Sequence, residues 1–163
     1  MPPMPSFGIY YGYRERDYYT NSKIISICWA ILDVEGRTLS LKYYKIDGQL
    51  GEILDFMLED MKKYDVKRLV GHNLLLHYAV LLSEAYELGH PIEKALHAPE
   101  HFCTMREGAR LMNRWRPVKL CALYFILFKK HIQGQLTEAS DVLLSVIRCY
   151  VVLAKLAEAR KSL

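Results

Sequence analysis

The chain has 163 residues, of which 52% are hydrophobic and 25% are charged, and its formal net charge is +4. This length supports one substantial core, and the longest apolar run, Leu120 to Phe128, is about half of the roughly 20 residues that a helix needs to cross a bilayer. The start of the chain has no secretory pattern, and the four cysteines form no CxxC pair. We therefore expect a cytoplasmic protein with buried, reduced thiols and no membrane contact.

The first half of the chain predicts a three-stranded meander followed by a helix. Residues 1–6 are expected to be a disordered lead-in, and residues 7–163 a single domain. Strands are predicted at Phe7 to Gly12, Lys23 to Asp33 and Thr38 to Ile46, with a tight turn at Val34 to Arg37. The apolar residues between Leu50 and Met61 have the spacing of one helical face, so a helix follows almost directly after the third strand.

The second half alternates short strands with helices. A fourth strand is predicted at Val66 to Val70, a fifth, edge strand at Phe102 to Thr104, and helices at Leu74 to Leu88, Met105 to Met112, Lys119 to Lys129 and Ala139 to Lys161. Asn73 is the predicted N-cap of the first of these helices, which is apolar nearly all round and is expected to be buried on most sides. The last helix ends in cations that suit its dipole. This order predicts an α/β protein with a mixed sheet of about five strands flanked by helices.

Three segments resemble the DnaQ-like (DEDD) 3′–5′ exonucleases, which have the ribonuclease H-like fold. Leu69 to Ile92 is similar to the family's second motif, in which Gly-His-Asn ends a strand and an Asp follows four residues after the Asn. Phe102 to Met112 is similar to the family's strand and helix with Cys-Thr-Met. The helices at Val118 to Phe128 and Glu138 to Leu156 resemble those of the third motif. Together these segments imply the exonuclease fold over nearly the whole chain.

The family's reaction uses two divalent metals held by four carboxylates, with a His or Tyr as base. The first two acids come from an Asp-x-Glu on the first strand, where residues two apart share a face. At the matching positions this chain has Tyr11 and Tyr13, whose phenols are neutral at pH 7 and are poor magnesium ligands. The resemblance therefore implies that the first motif is lost.

The second and third motifs also lack residues. His77 replaces the Asp of the second motif, and a neutral imidazole prefers softer metals than magnesium. In the third motif Asp141 is retained, but Leu136 stands where the catalytic His is expected. Asp141 and Glu138 are thus only weak metal candidates. We expect no catalytic residues and no cofactor, with magnesium or manganese needed only if the domain is active.

An active enzyme is the alternative that the remaining acids leave open. Glu15 and Asp17 are two apart, like the missing pair, but lie four residues later, about 13 Å along an extended strand. A rearranged site would need Glu15, Asp17, Glu138 and Asp141 to converge on the metals.

The segment from Met105 to His131 carries seven basic residues and one acid, Glu107, which is the charge asymmetry expected of a phosphate-binding face. An ordinary solvated helix surface is the alternative. Within this segment Trp115, between two arginines, is the best candidate for stacking on a base, unless it anchors a helix end in the core. The predicted nucleic-acid-binding residues are Arg106, Arg110, Arg114, Trp115, Arg116 and Lys119.

Two other groups of residues have a functional and a structural interpretation. His97, His101 and Cys103 could belong to a zinc site, although their spacing fits no standard pattern and an ordinary surface loop is favoured. Tyrosines 10, 11, 13, 18 and 19 could stack on bases, although filling the empty metal cleft is favoured. His72 is expected to support the Gly-His-Asn turn.

Three hypotheses follow from the sequence. The first is a catalytically inactive exonuclease-like domain that binds single-stranded DNA or RNA, or a protein partner. The second is an active metal-dependent 3′–5′ exonuclease with a rearranged site. The third is a structural or dimerisation module, for example a homodimer, whose basic face is incidental.

Overall fold

The computed structural model describes residues 4–12 as backbone, and residues 23–134 and 138–162 with their side chains. The strands are β1 (Met4–Gly12), β2 (Lys23–Leu32), β3 (Thr38–Lys45), β4 (Arg68–Gly71) and β5 (Glu100–Cys103). The helices are α1 (Leu50–Lys63), α2 (Leu74–Glu87), α3 (Glu93–His97), α4 (Thr104–Leu111), α5 (Leu120–Phe128) and α6 (Ala139–Lys161).

The strands form one sheet in the order β3-β2-β1-β4-β5. The β1–β2 and β2–β3 pairs are antiparallel, whereas β4 pairs in parallel with both β1 and β5. The meander is therefore completed by two parallel strands that follow helices. The mixed α/β class predicted from the sequence is confirmed, and β5 lies at an edge as expected.

The strand β1 begins three residues earlier than the sequence predicts. Met4, Pro5 and Ser6 pair with β2, and Ser6 also pairs with Val70 of β4. Backbone pairing on both sides extends the strand into a stretch whose prolines predict a disordered lead-in over residues 1–6. That expectation is wrong for residues 4–6, and residues 1–3 lie outside the described part of the chain.

The turn between β2 and β3 is held by one side chain and one glycine. Oδ1 of Asp33 accepts hydrogen bonds from the backbone N–H groups of Glu35 and Arg37, both at 2.9 Å. Gly36 has φ +84°, and a Cβ at this position would lie 2.5 Å from Cγ2 of Val151 on α6. The turn thus requires glycine both for its backbone and for its contact with α6.

Each face of the sheet carries one layer of helices. On one face Ile27, Trp29 and Ile31 of β2 pack with residues of α1 and α2, and on the other Cys28 and Ala30 pack with residues of α5 and α6. This alternation follows from the two-residue period of a strand. No helix in the described part of the chain is long and apolar enough to span a membrane.

The helix α2 is buried or half-buried over most of its length. Of its 14 residues only Leu75, Tyr86 and Glu87 are exposed. Leu75 is 66% exposed and Tyr86 is 87% exposed, and Leu88, just after the helix, is also exposed. Burial on most sides is therefore as the sequence predicts, and these apolar side chains are the exceptions.

The short helix α3 has no counterpart among the predicted elements, since five residues are too few to show a helical period. In contrast, only four residues separate β3 from α1, as the sequence predicts.

Candidate functional site

The Gly-His-Asn turn links β4 to α2, and His72 fixes it to two other segments. Its Nε2 lies 3.0 Å from the carbonyl oxygen of Val118, and its Nδ1 lies 2.9 Å from Oγ1 of Thr104. Burial lowers the pKa of His72 to about 4, so the ring is neutral at pH 7. Nε2–H then donates to Val118, and Nδ1 accepts from the Thr104 hydroxyl. The prediction that His72 supports this turn is confirmed.

Asn73 occupies the N-cap position of α2, as predicted, but not in the usual way. Its backbone is left-handed, with φ 57° and ψ 47°, and its side chain makes no capping hydrogen bond. The side chain instead lines a surface groove that is described below.

His77 lies in the first turn of α2, where the resemblance implies a metal-binding Asp. The ring makes a hydrogen bond to the backbone of His72, and burial is the main reason that its pKa falls to about 4. The side chain is therefore a neutral imidazole tied to the preceding turn. A hard divalent cation prefers oxygen ligands, which this position does not supply.

Asp141 lies in the first turn of α6, partly buried, against the segment that precedes the helix. A Cβ on Gly134 would come within 2.5 Å of its Oδ2, so the carboxylate packs directly on this glycine. Glu138 is exposed at the N-cap of α6 and makes no side-chain capping bond. Asp141 and Glu138 are thus close in sequence but differ in environment.

The remaining positions of the predicted catalytic site lie outside the described side chains. Tyr11 is in β1, where its backbone pairs with Ile24, and the positions outside the described residues are Tyr13, Glu15, Asp17, Leu136 and tyrosines 18 and 19. Among the described residues, no three His, Cys, Asp or Glu side chains are grouped so that they could hold a metal ion.

A groove of about 550 Å³ runs beside the edge strand β5, bordered by α4 and the C-terminal end of α6. Arg106 and Arg110 line it from α4, and Arg160 and Lys161 line it from α6. Arg68 of β4 also borders it. The structure thus brings two of the predicted basic residues together with a second cationic segment from the end of the chain.

The acids of the groove balance part of this charge. Arg68 binds Glu100 at 3.0 Å, and Arg110 binds Glu107 at 2.9 Å. The third carboxylate, Glu158, lies on α6. Five cationic side chains against three carboxylates leave the groove positive.

The other predicted nucleic-acid-binding residues lie between α4 and α5, away from the groove lining. Trp115 is 86% exposed, and the guanidinium of Arg116 lies 4.7 Å from the centre of its ring. The alternative of a core anchor is therefore wrong for Trp115. Arg114 is exposed, and Lys119 is exposed at the N-cap of α5.

The zinc hypothesis gains no support from the positions of its residues. His101 places Nε2 2.9 Å from the carbonyl oxygen of Leu96, and its ring packs against Tyr78. Nδ1 of His97 lies 3.4 Å from the hydroxyl of Tyr78. These contacts are those of side chains that anchor a loop.

The cysteines differ in environment, contrary to the expectation that all are buried. Cys28 and Cys149 are in the core, where burial raises the pKa of each thiol to about 12, whereas Cys103 is half-buried and Cys121 is exposed. The sequence of α5 is apolar on every side, so its outward side also carries apolar residues and this thiol. All four cysteines are free.

No family model and no curated protein sequence matches the chain. Its similarity to solved structures is much clearer. It resembles a structure titled "3′-end specific recognition of histone mRNA stem-loop by 3′-exonuclease", with a TM-score of 0.74 and 10% identity over 93% of this chain and 63% of that chain.

Two further structures show the same likeness. Exonuclease I matches 95% of this chain and 41% of its own, with a TM-score of 0.67 and 9% identity. A family B DNA polymerase from the hyperthermophilic archaeon Pyrobaculum calidifontis matches 96% of this chain and 25% of its own, with a TM-score of 0.66 and 13% identity. The chain has an exonuclease-like fold. It spans less than two thirds of each of these three proteins.

Proposed function

We propose that this protein is a catalytically inactive, DnaQ-like member of the exonuclease fold, a pseudoenzyme that acts by binding single-stranded DNA or RNA. Two of the structures with this fold are named as exonucleases and one as a DNA polymerase. A fold does not determine a function, so the proposal depends on the residues at the site.

The observation that carries the proposal is the state of His77. A neutral ring that is bonded to the backbone of His72 stands where the resemblance implies the carboxylate of the second motif. Removing one of the acids from a two-metal centre removes a ligand for the cations that clamp the attacking and leaving oxygens. We propose that the domain needs no metal cofactor.

Binding is supported by the exposed segment between α4 and α5. Trp115 presents an open aromatic ring beside Arg114 and Arg116, and a ring of this kind stacks on bases of any sequence. Cations next to the ring supply contacts to phosphates.

The four free cysteines support a reducing compartment, and we propose a cytoplasmic location.

The proposal is tested by incubating 5′-labelled single-stranded DNA and RNA with the protein and manganese, beside the variant Asp141→Lys. We expect that the labelled strand is not shortened. We also expect the protein to retard the strand on a gel, and this binding should weaken steeply between about 50 and 200 mM salt. Shortening that Asp141→Lys abolishes would show instead the active enzyme with a rearranged site of Glu15, Asp17, Glu138 and Asp141.

A homodimer is the second candidate, and the edge strand β3 favours it. Leu39, Leu41 and Tyr43 of β3 are all exposed, beside a backbone edge with no neighbouring strand in the described chain. Such an edge is a template for pairing with a second copy of itself. Light scattering across a concentration series tests this. A dimer that Leu41→Lys dissociates and Leu75→Lys does not would support it.

A further inference from the structure

We infer that the groove beside β5 holds the phosphodiester backbone of a single-stranded nucleic acid, with Arg106, Arg160 and Lys161 as its phosphate contacts. This inference rests on the proposed function and names the surface along which the strand runs. That surface includes the C-terminal end of α6, which the basic segment of the sequence does not contain.

The first argument is the convergence of cations from distant parts of the chain. Arg106 lies near the start of α4, and Arg160 and Lys161 lie in the last turn of α6, yet all three line one groove of about 550 Å³. Bringing like charges together is unfavourable unless an anion binds between them. A concave surface with converging cations is therefore suited to an anionic ligand.

The second argument concerns which cations are available. Arg68 and Arg110 are engaged by Glu100 and Glu107. Among the residues that the structure describes, Arg106, Arg160 and Lys161 form no ion pair. The planar guanidinium groups match phosphate geometry, and the ammonium adds a point charge.

The third argument selects nucleic acid over an acidic polypeptide. Arg106 and Arg110 are one turn apart, about 6 Å along the helix axis, on the side of α4 that lines the groove. Arg114 follows the end of α4, where Asn113 has a left-handed backbone with φ 51° and the Arg114 N–H bonds the carbonyl oxygen of Ala109 at 2.8 Å. The exposed segment with Arg114 and the open ring of Trp115 thus follows α4 directly, next along the chain from the groove-lining arginines. A strand with both phosphates and bases uses both features, whereas an acidic peptide has no base to stack.

The test is fluorescence anisotropy of labelled single-stranded DNA and RNA with two triple variants of equal charge loss. The groove variant is Arg106→Gln, Arg160→Gln and Lys161→Gln. The control variant, Lys45→Gln, Lys62→Gln and Lys94→Gln, removes exposed cations that do not line the groove. All six substitutions are at helix or strand positions that glutamine tolerates, and circular dichroism verifies the fold.

We expect each of the three groove cations to contribute about two- to fivefold in affinity near 0.1 M salt and about 0.7 of a unit of the salt slope on a single strand. The groove variant then binds at least tenfold more weakly with a shallower slope, and the control variant stays within about twofold of the unaltered protein. Equal losses in the two variants would overturn the inference while leaving nucleic-acid binding, and so the proposed function, intact.

Two other results would also decide the matter. If the unaltered protein retains neither strand at low salt, the proposed function fails and the inference fails with it. If polyglutamate displaces the labelled strand at equal charge concentration, and its own binding is lost in the groove variant only, the groove accepts an acidic polypeptide and the nucleic-acid assignment is overturned.

Discussion

The indole Nε1 of Trp29 donates a hydrogen bond of 2.9 Å to Oδ2 of Asp60, which joins β2 to α1 inside the core. The other carboxylate oxygen accepts a bond of 3.0 Å from Nζ of Lys42 on β3. Asp60 is buried, so this one side chain satisfies a buried donor and a partly buried cation at once.

Replacing Asp60 by alanine should lower the free energy of unfolding by about 2–4 kcal/mol, because the indole N–H and the Lys42 ammonium both lose their partner. Asp60→Asn keeps an acceptor for Trp29 and should cost less. Urea denaturation followed by circular dichroism measures both. Glu59→Ala, at the exposed neighbouring position, is the control and should change the free energy by less than about 0.5 kcal/mol. An Asp60→Ala protein as stable as that control would contradict the structure.

The stability of the fold should fall in mild acid because of His72 and His77. Burial lowers the pKa of each ring from 6.5 to about 4. Between these two pKa values the unfolded chain binds more protons than the folded chain. The free energy of unfolding therefore has its full value above pH 6.5 and decreases as the pH falls towards 4. Each ring contributes up to about 3 kcal/mol to this loss.

The measurement is the urea midpoint across about pH 5 to 7 for the unaltered protein and for His77→Gln. The variant lacks one titrating ring, so its stability should depend less steeply on pH whatever its stability at neutral pH. His97→Gln removes an exposed ring and serves as the control. A slope that is the same in all three proteins would show that His77 is not buried as described.

Local periodicity explains why much of the fold could be predicted. The apolar positions of α1 repeat with the helical period, and Leu50, Ile53, Leu54, Met57 and Met61 are all buried. The start of β1 and the bounds of β5 could not be predicted in this way. They depend on pairing with distant strands, such as the bond from the Glu100 N–H to the carbonyl oxygen of Lys67.

The candidate site was less predictable for the same reason. The row from Arg106 to Arg116 is visible as a charge run, but its meeting with Arg160 and Lys161 depends on where α6 ends in space. In the sequence these two cations are explained by their position at a helix C-terminus, where positive charges interact favourably with the helix dipole. Exposure of Trp115 is likewise a tertiary property, since its position after a helix also suits a buried anchor.

Gly134 should not tolerate a side chain. Its φ is +91°, and a Cβ would lie 2.5 Å from Oδ2 of Asp141. Gly134→Ala should therefore lower the free energy of unfolding by about 1–3 kcal/mol. In the double variant with Asp141→Ala, the clash between the new Cβ and the carboxylate is removed, but the strain of a positive φ remains. Adding Gly134→Ala to Asp141→Ala should therefore lower the free energy of unfolding by less than adding it to the unaltered protein. Thermal unfolding of the four proteins in this cycle measures the coupling, and strict additivity would show that the two residues are not in contact.

Trp115 offers a direct optical test of base stacking, because the only other tryptophan, Trp29, is 1% exposed in the core. Titration with an unlabelled single strand should quench the fluorescence of Trp115 and leave that of Trp29 unchanged. Trp115→Ala should abolish the quenching and weaken binding by about 1–3 kcal/mol, whereas Trp115→Phe should abolish the quenching and retain much of the affinity, since a phenyl ring still stacks. Trp115→Leu keeps an apolar side chain without a stacking face and is the matched control. If the leucine variant binds as tightly as the phenylalanine variant, the ring does not stack on a base, and the affinity comes from the surrounding arginines alone.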